Sequence, residues 1–466
     1  MHLSSFFVEG IAHRSYLLGG DRSCAIVDPS RDVGIYIEAA AKLGLRITHI
    51  LETHLHADFI SGHMDLAAAT GAKIVAPAAA RCGFDHTPVA EGDTVQIDRL
   101  SISVLDTPGH TPEHVSYVVT DLSRGAEPSA VFTGDTIFAG DTGRPDIFPD
   151  RASELTAKLY ESIRRLMALP DGCLVLPAHG AGSLCGRSIG TMPLTTIGYE
   201  KASNPVLSMD AGGFAAELAK AGPPVPDHFL RCGPVNAAGP ALLSDLPPAP
   251  QLGSDDFASR IEAGAIVVDT RSYDAFGGMH VPGSLSIDLD GNFSTMAGWV
   301  VPHSRSILVV AQPGRAGEAL ACLRRVGLDT VAGTLAGGMF AWARSGKPVS
   351  RVYQVSPGEL GAILDGGDGW RLVDVRSPAE YAAFHLKEAV NIPVADLRTR
   401  SRELVPTTPT LVMCGSGRRS ILGASMLLRG GLKTVFNLAG GLPAAVRSMK
   451  RLDGLFEGDP KNLVSG

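Results

Sequence analysis

Two blocks of this chain occur twice, about a hundred residues apart. "IVVDTRSYDAFGGMHVPGSLSI" at 266–287 is echoed by "RLVDVRSPAEYAAFHLKEAVNI" at 371–392. "ILVVAQPGRAGEALACLRRVGLDTVAGTLAGGMFAW" at 307–342 is echoed by "TLVMCGSGRRSILGASMLLRGGLKTVFNLAGGLPAA" at 410–445. His280 aligns with His385, and Gly337-Gly338 with Gly440-Gly441. A period of that length is a small domain rather than one supersecondary unit, so two tandem α/β copies are expected at 253–350 and 355–456. The run "GPVNAAGPALLSDLPPAPQLG" from Gly233 to Gly253 reads as a linker, closing a first domain at 1–240. Three domains suit a chain of 466 residues, which is too long for one core.

The first 200 or so residues alternate short apolar strands with helices of small residues. "CAIVD", "ITHILET", "KIVAP", "TVQI", "LSISVLDT", "VSYVV", "AVFTGD" and "CLVLPAH" read as strands, and several end in His or Asp. A sheet scaffold presents such residues to one rim. Hydrophobic residues at 45% and charged residues at 19% suit buried sheets covered by helices. A net charge of −7, with no basic block, favours neither nucleic acid nor an anionic membrane surface as partner. The start "MHLSSFFVEGIAHRSYLLGG" lacks the pattern of an export signal, and no long apolar run occurs, so a soluble cytoplasmic protein is expected. Seven scattered cysteines without a C-x-x-C pair fit free thiols in a reducing compartment.

The stretch "THLHADFISGH" at 53–63 sets His54 and His56 two residues apart at a strand end, with Asp58 next to them. Neutral imidazoles are good ligands, and His110 in "DTPGHTPEH", Asp135 in "VFTGDTIF" and His179 in "LVLPAHG" offer more. In this order the residues resemble the metallo-β-lactamase superfamily over roughly residues 1–240. The resemblance implies an N-terminal αββα sandwich. The departure is Phe59, where two-metal members place a histidine. A second ion would then rely on Asp58, His179 and a bridging Asp135, a poor set, so one metal is expected.

Within that superfamily the chain is similar to the persulfide dioxygenases, which implies one Fe(II) per chain held by His54, His110 and Asp135. Two histidines and a carboxylate with open positions suit non-haem iron. His56, Asp58 and His179 would orient those ligands. Arg144 in "DTGRPDIF" would fix the negative charge of a persulfide, with Asp146 following it. After His179 the chain reads "GAGSLCG", which resembles the dioxygenases fused to rhodanese domains. Cys185 is thereby expected at the mouth of the metal site, as a residue able to receive or pass on a sulfane sulfur.

"CGSGRRS" at 414–420 follows an apolar strand and precedes a helix. Backbone N–H groups surround a cysteine at such a turn, Gly415 and Gly417 permit the curl, and Arg418 and Arg419 favour a thiolate. With "DVRSPAEYAAFHL" the loop looks like a rhodanese sulfurtransferase: Cys414 carries the sulfur, Gly415, Ser416, Gly417 and Arg418 bind substrate, and Arg419 assists. Asp374, Arg376 and Glu380 fall on the structural side of that motif. The earlier copy has Ala311 at the equivalent position and is expected to be a scaffold without a nucleophile.

The whole order resembles fusions of a persulfide dioxygenase with an inactive and an active rhodanese-like domain, the latter two with parallel sheets. The implied chemistry oxidises a small-molecule persulfide with O₂ to sulfite and thiol, and moves sulfane sulfur between Cys414 and sulfite or thiosulfate. Sulfide detoxification is the implied setting, and a dimer or tetramer the implied assembly. A zinc thioesterase of the glyoxalase II type and a non-oxygenase sulfane-sulfur carrier remain as other readings of the same residues.

Overall fold

The computed structural model describes residues 1–220, 222–365, 369–448 and 454–463. Two compact units divide the chain: one is built on Met1–Leu246, the other on Pro247–Leu323 and Leu328–Gly466. No described helix is long and apolar enough to cross a membrane.

In the first unit the strands are β1 (His2–Val8), β2 (His13–Gly19), β3 (Ser23–Val27), β4 (Arg46–Leu51), β5 (Lys73–Pro77), β6 (Thr87–Val89), β7 (Thr94–Ile97), β8 (Leu100–Asp106), β9 (Val115–Asp121), β10 (Ala130–Gly134), β11 (Ile137–Phe138), β12 (Asp141–Thr142), β13 (Leu174–Pro177) and β14 (Thr195–Thr196). One six-stranded sheet runs β1-β2-β3-β4-β5-β6 and another β14-β13-β10-β9-β8-β7, with β11 and β12 as a separate pair. Between the sheets lies one apolar layer, with Tyr16, Ala25, Val27, Leu51 and Val75 against Val104, Val119, Phe132 and Leu176. Strand neighbours alternate faces, so Cys24 and Ile26 point the other way, toward Tyr36 and Leu66 of the covering helices. The opposite sheet is covered by Leu159, Ile163 and Phe214. Four layers, αββα, result.

Parallel neighbours end on the same edge. β3 pairs in parallel with β4, and β10 with β13, so Asp28, Thr53–His54, Asp135 and His179 all emerge where those strands stop. A link from Val115 N–H to Thr53 O, 2.9 Å, joins the ends of the two sheets.

In the second unit the strands are β15 (Gln251–Leu252), β16 (Ile266–Asp269), β17 (Leu285–Ser286), β18 (Ile307–Val310), β19 (Val331–Leu335), β20 (Tyr353–Val355), β21 (Arg371–Asp374), β22 (Phe384–Leu386), β23 (Val390–Asn391), β24 (Thr410–Met413), β25 (Val435–Leu438) and β26 (Phe456–Gly458). Two five-stranded sheets run β15-β19-β18-β16-β17 and β20-β25-β24-β21-β23, and β22 pairs with β26. Every pairing within the two larger sheets is parallel. The repeat extends to register. Val268 faces Leu285 as Val373 faces Val390, and Ile266 faces Ile307 as Arg371 faces Thr410. β18 and β24 are buried along their whole length, as parallel strands covered on both faces must be.

One expectation fails. Residues 233–238 are not linker but the second half of a helix, Phe229–Ala238, with Pro234 inside it. The first unit accordingly runs on to Leu246.

The first turn after β25 is held by a glycine. Gly441 has φ +68, and a Cβ there would lie 2.5 Å from Cys414 O. The missing side chain lets Leu442 N–H reach Cys414 O at 2.9 Å, tying the following helix to the turn after β24. Gly441→Ala is expected to destabilise the second unit by about 2 kcal/mol, combining a left-handed backbone with a clash. The urea midpoint of that unit's unfolding measures it; an unchanged midpoint would contradict the packing described.

Candidate metal centre and nucleophile loop

The first unit brings His54, His110 and Asp135 together at its rim, all buried. His110 Nε2 lies 3.2 Å from Asp135 Oδ2, and His54 Nε2 lies 3.8 Å from the same oxygen. Those three atoms have no hydrogen-bond partner. Their protonation follows from what lies behind them. His110 Nδ1 is 3.0 Å from Arg144 O, and a carbonyl only accepts, so Nδ1 carries the proton and Nε2 a lone pair. Thr53 Oγ1 donates to Asp28 Oδ2 at 2.9 Å, so it accepts from His54 Nδ1 at 2.8 Å and leaves His54 Nε2 bare as well. Burial pushes both imidazoles below their usual range, which keeps them neutral. Burial opposes the charge on Asp135, but the histidines around it, His179 first, hold its pKa well below the carboxylate range. Two lone pairs and an anion aimed at one point, out of water, fit a cation.

Asp28 anchors this arrangement at a backbone cost. It stands at φ 50, in the left-handed region, and also accepts the Thr53 N–H at 2.7 Å. His56 is beside the centre rather than in it: its ring is 4.1 Å from that of His54, and its Nε2 lies 3.3 Å from Asp28 Oδ1.

His56, Asp58 and His179 form a second buried group of ligand-type atoms. Here the nitrogens of His179 are already taken, Nδ1 by Asp135 Oδ1 at 2.7 Å and Nε2 by Asp58 Oδ2 at 2.9 Å. Carboxylates accept, so both nitrogens donate and the ring is an imidazolium. Burial alone would lower its pKa, yet Asp135 and Asp58 raise it well above the usual value. Phe59 is fully buried, its ring 4.2 Å from that of His13 and 4.4 Å from that of His56. An apolar ring stands there instead of a ligand.

Two expectations need correction. Arg144 does not face the centre as a free cation. Its guanidinium makes a two-pronged pair with Asp146, 2.7 and 2.6 Å, and donates to Leu184 O and Pro223 O at 3.3 and 2.5 Å. Four of its five N–H donors are thereby used inside the chain, so its carbonyl on His110, not its charge, serves the centre. Cys185 lies against Asp135 and His179, yet it is buried in the wall with Phe138, Ile147 and Phe229, not at the mouth. Burial, with Asp58 and Asp135, pushes its thiol well above the usual range.

The sequence reading missed Asn236, in the supposed linker. Its side-chain N–H₂ donates to His56 O and Phe59 O at 2.8 and 2.9 Å, and its oxygen accepts the Ser61 N–H at 2.9 Å. One amide thus clamps the whole 56–61 loop. His114 was also missed. It stacks on His54 at 4.8 Å, and its Nε2 accepts the Asp135 N–H at 3.0 Å. Burial pushes it to about 3, so it stays neutral and able to accept. Its motif, "PGHTPEH", was the only available signal.

In the second unit Cys414 is buried at the turn between β24 and the helix Arg418–Arg429. Sγ accepts from Gly417 N–H at 3.2 Å and Ser420 N–H at 3.3 Å, and Ser420 Oγ is 3.3 Å away. Gly417 sits at φ 94, which lets the turn fold back on the sulfur. Gly415 and Ser416 complete the turn. Arg419 pairs with Glu380 at 2.8 and 2.7 Å, and Arg376 with Asp374 at 2.6 Å. Glu380 also closes a capping box with Ser377, so it ties helix Pro378–Ala383 to the nucleophile's helix. In the first copy Gly314 keeps the positive φ, 83°, but Ala311 offers no sulfur.

Residues 9–179 match the metallo-beta-lactamase superfamily, and residues 254–345 and 356–447 match the rhodanese-like domain. A hydroxyacylglutathione hydrolase of Rhodospirillum rubrum is 41% identical over 160 residues, 34% of this chain and 57% of that protein. The chain therefore spans just over half of that relative's length. The mitochondrial persulfide dioxygenase ETHE1 of Bos taurus is 30% identical, over 47% of this chain and 84% of that protein. A crystal structure of a metallo-beta-lactamase from Staphylococcus aureus subsp. aureus COL is 33% identical, with a TM-score of 0.65, covering 72% of this chain and 98% of that one.

Two outcomes follow from the geometry. Thr53→Val removes the acceptor that fixes His54 and is expected to weaken metal binding by about 10–100-fold, measured by chelator competition on folded protein. Glu380 has its pKa drawn from 4.5 to about 2, where burial opposes and the pair with Arg419 prevails. A depressed carboxylate stabilises the fold above its unfolded pKa and loses that contribution as pH falls through the folded one. The thermal stability lost in Glu380→Gln should therefore be full at neutral pH, shrink below 4.5 and vanish near 2.

Proposed function

Since the chain belongs to the metallo-beta-lactamase superfamily through its first domain and carries two rhodanese-like domains after it, we propose that it is a persulfide dioxygenase joined to a sulfurtransferase. The first reaction consumes a persulfide, O₂ and water and yields thiol, sulfite and two protons. The observation that carries this reading is the triad itself: two neutral imidazoles and one carboxylate oxygen, unpartnered and convergent. Such a set, with positions left open, suits a single Fe(II), and the residues present fit it. Bound there, the iron would supply the electronic route by which a closed-shell persulfide reacts with O₂.

This chain's own residues would do the rest. Thr53 and the Arg144 carbonyl hold His54 and His110 in the tautomers that point bare nitrogens inward. The His179 imidazolium occupies the other Asp135 oxygen, which leaves only Oδ2 for a metal. Phe138, Ile147, Phe229 and Cys185 wall the site in apolar surface that excludes water.

At the second site the Cys414 thiolate would be stabilised by the N–H groups of Gly417 and Ser420. It takes the outer sulfur of a persulfide or of thiosulfate. The S–S bond of the donor breaks, and thiol or sulfite leaves with the electron pair. Run in reverse, sulfite from the first domain accepts that sulfur and leaves as thiosulfate. A shared chain raises the local concentration of the intermediate, and sulfide detoxification is the setting that suits both steps.

The 41% identity to a hydroxyacylglutathione hydrolase favours a second reading, a zinc thioesterase. Against it stand Phe59 and the doubly bound His179.

Anaerobic purification should give about one iron per chain, and glutathione persulfide should drive O₂ uptake with release of sulfite. His54→Ala should lose iron and O₂ uptake while keeping sulfur transfer at Cys414, and Cys414→Ala should do the reverse. Two zincs with thioester hydrolysis and no O₂ uptake would replace the dioxygenase by the hydrolase. Persulfidation of Cys414 without turnover would leave only a sulfur carrier.

A further inference from the structure

The copy with Ala311 in place of the loop cysteine presses on the helix that carries the nucleophile's turn. Three contacts fix segment 283–288 along helix Arg418–Arg429. Arg429 Nη1 donates to Gly283 O at 2.8 Å, Ser286 N–H donates to Ser425 Oγ at 3.1 Å, and Arg418 Nε lies 3.3 Å from Asp288 Oδ2. The segment runs antiparallel to the helix, so its acidic end arrives at the helix N-terminus, four residues after Cys414. Around that point the polypeptide is acidic: "DLDGN" at 288–292 also offers Asp290, paired with Arg315 of its own copy at 2.7 Å. Gly291 carries the loop close by, since a Cβ there would be 3.4 Å from Arg418 Nη1.

Both arginines of the nucleophile's turn are thus engaged, Arg419 by Glu380 within its own domain and Arg418 by Asp288 from the other. The two pairs differ in accessibility. Arg418 is 49% exposed while Asp288 is only 8% exposed, so an incoming anion can reach Arg418 but must share it with a fixed carboxylate. A half-exposed pair of this kind contributes little to stability, but it changes the charge a substrate meets.

We propose that Asp288 of the copy lacking the loop cysteine is a positioning residue that sets which sulfur donors Cys414 accepts, disfavouring dianionic inorganic donors relative to less charged thiosulfonates and persulfides. The inference rests on the sulfur-transfer reading of Cys414. The reaction concerned is attack of the Cys414 thiolate on the sulfane sulfur of the donor. The donor's S–S bond breaks and its sulfonyl sulfur leaves with the electron pair, as sulfite from thiosulfate or as a sulfinate from a thiosulfonate. Cyanide then takes the sulfur from the cysteine persulfide as thiocyanate and restores the thiolate. Thiosulfate brings two negative charges and methanethiosulfonate one, with the same reacting sulfur. The repulsion from Asp288 scales with that charge, so its effect on binding of the dianion is the square of its effect on the monoanion.

The experiment measures thiocyanate formation by the full-length protein with each donor, for the wild type, Asp288→Asn, Asp288→Glu and the double variant Asp288→Asn with Arg418→Met. Asparagine keeps the oxygen that accepts the Asp290 N–H at 3.0 Å, so the loop is retained. Asp288→Asn should lower the KM for thiosulfate about fourfold and that for methanethiosulfonate about twofold, with little change in kcat. Asp288→Glu should stay near the wild type. The double variant, with both charges removed, should return the thiosulfate KM to within about twofold of the wild type. Equal changes for the two donors, or a kcat loss without a KM split, would make Asp288 merely structural and overturn the inference. A wild type inactive with both donors would instead remove the sulfur-transfer reading, and this inference with it.

Discussion

Two bare imidazole nitrogens and a carboxylate oxygen face one another at the rim of the first unit with no proton to share. Left alone, each is a buried polar atom without a partner, worth about 1–3 kcal/mol of lost solvation. The surroundings make the conflict permanent, because the groups behind each ring dictate where its proton sits. A carbonyl claims one proton of His110, and a threonine committed to Asp28 claims that of His54. A cation at the centre turns these losses into ligation, so metal binding and the stability of this corner are linked. The strained Asp28 backbone belongs to the same account, since it is the fixed point from which the proton chain starts.

The proposal of one metal rather than two rests on what occupies the neighbouring space. The second group of ligand-type atoms exists, but its histidine is held between two carboxylates and carries the positive charge itself. An imidazolium there balances Asp58 and Asp135 without any ion, and Phe59 with His13 fills the room beside it. Charge balance and volume lead to the same result, where either alone could be relieved by a small shift.

Much of this was legible in the sequence for a simple reason: ligand chemistry belongs to few residue types, and those types stood at the ends of apolar strands. His54, His56, Asp58, His110, Asp135 and His179 stood out on that basis, the resemblance to the persulfide dioxygenases singled out His54, His110 and Asp135, and Ala311 opposite Cys414 followed from the repeat. What stayed hidden were partners chosen by the fold. Asn236 sits in a Gly, Pro and Ala run whose composition suggests a linker, and it acts by binding backbone groups some 180 residues earlier, which leave no trace in side-chain pattern. Arg144 was found, but not its orientation. A guanidinium serves a substrate or the chain according to whether carbonyls and a carboxylate surround it, and only three dimensions decide that.

The copy that lacks the loop cysteine also has a physical role. In helix Arg418–Arg429 eight successive residues, Ser420 to Leu427, are buried. A helix covering one face of a sheet needs an apolar stripe on one side only, so burial around the whole circumference requires a second surface. The helix uses its own sheet on one side, where Gly423 lies against Val412, and receives segment 283–288 along the line of Ser425. The copy that lacks the loop cysteine thus covers the helix whose N-terminal N–H groups hold the sulfur of Cys414. The contact that supplies burial along the helix necessarily brings Asp288 to its N-terminal end, so support and control of the site come from one surface.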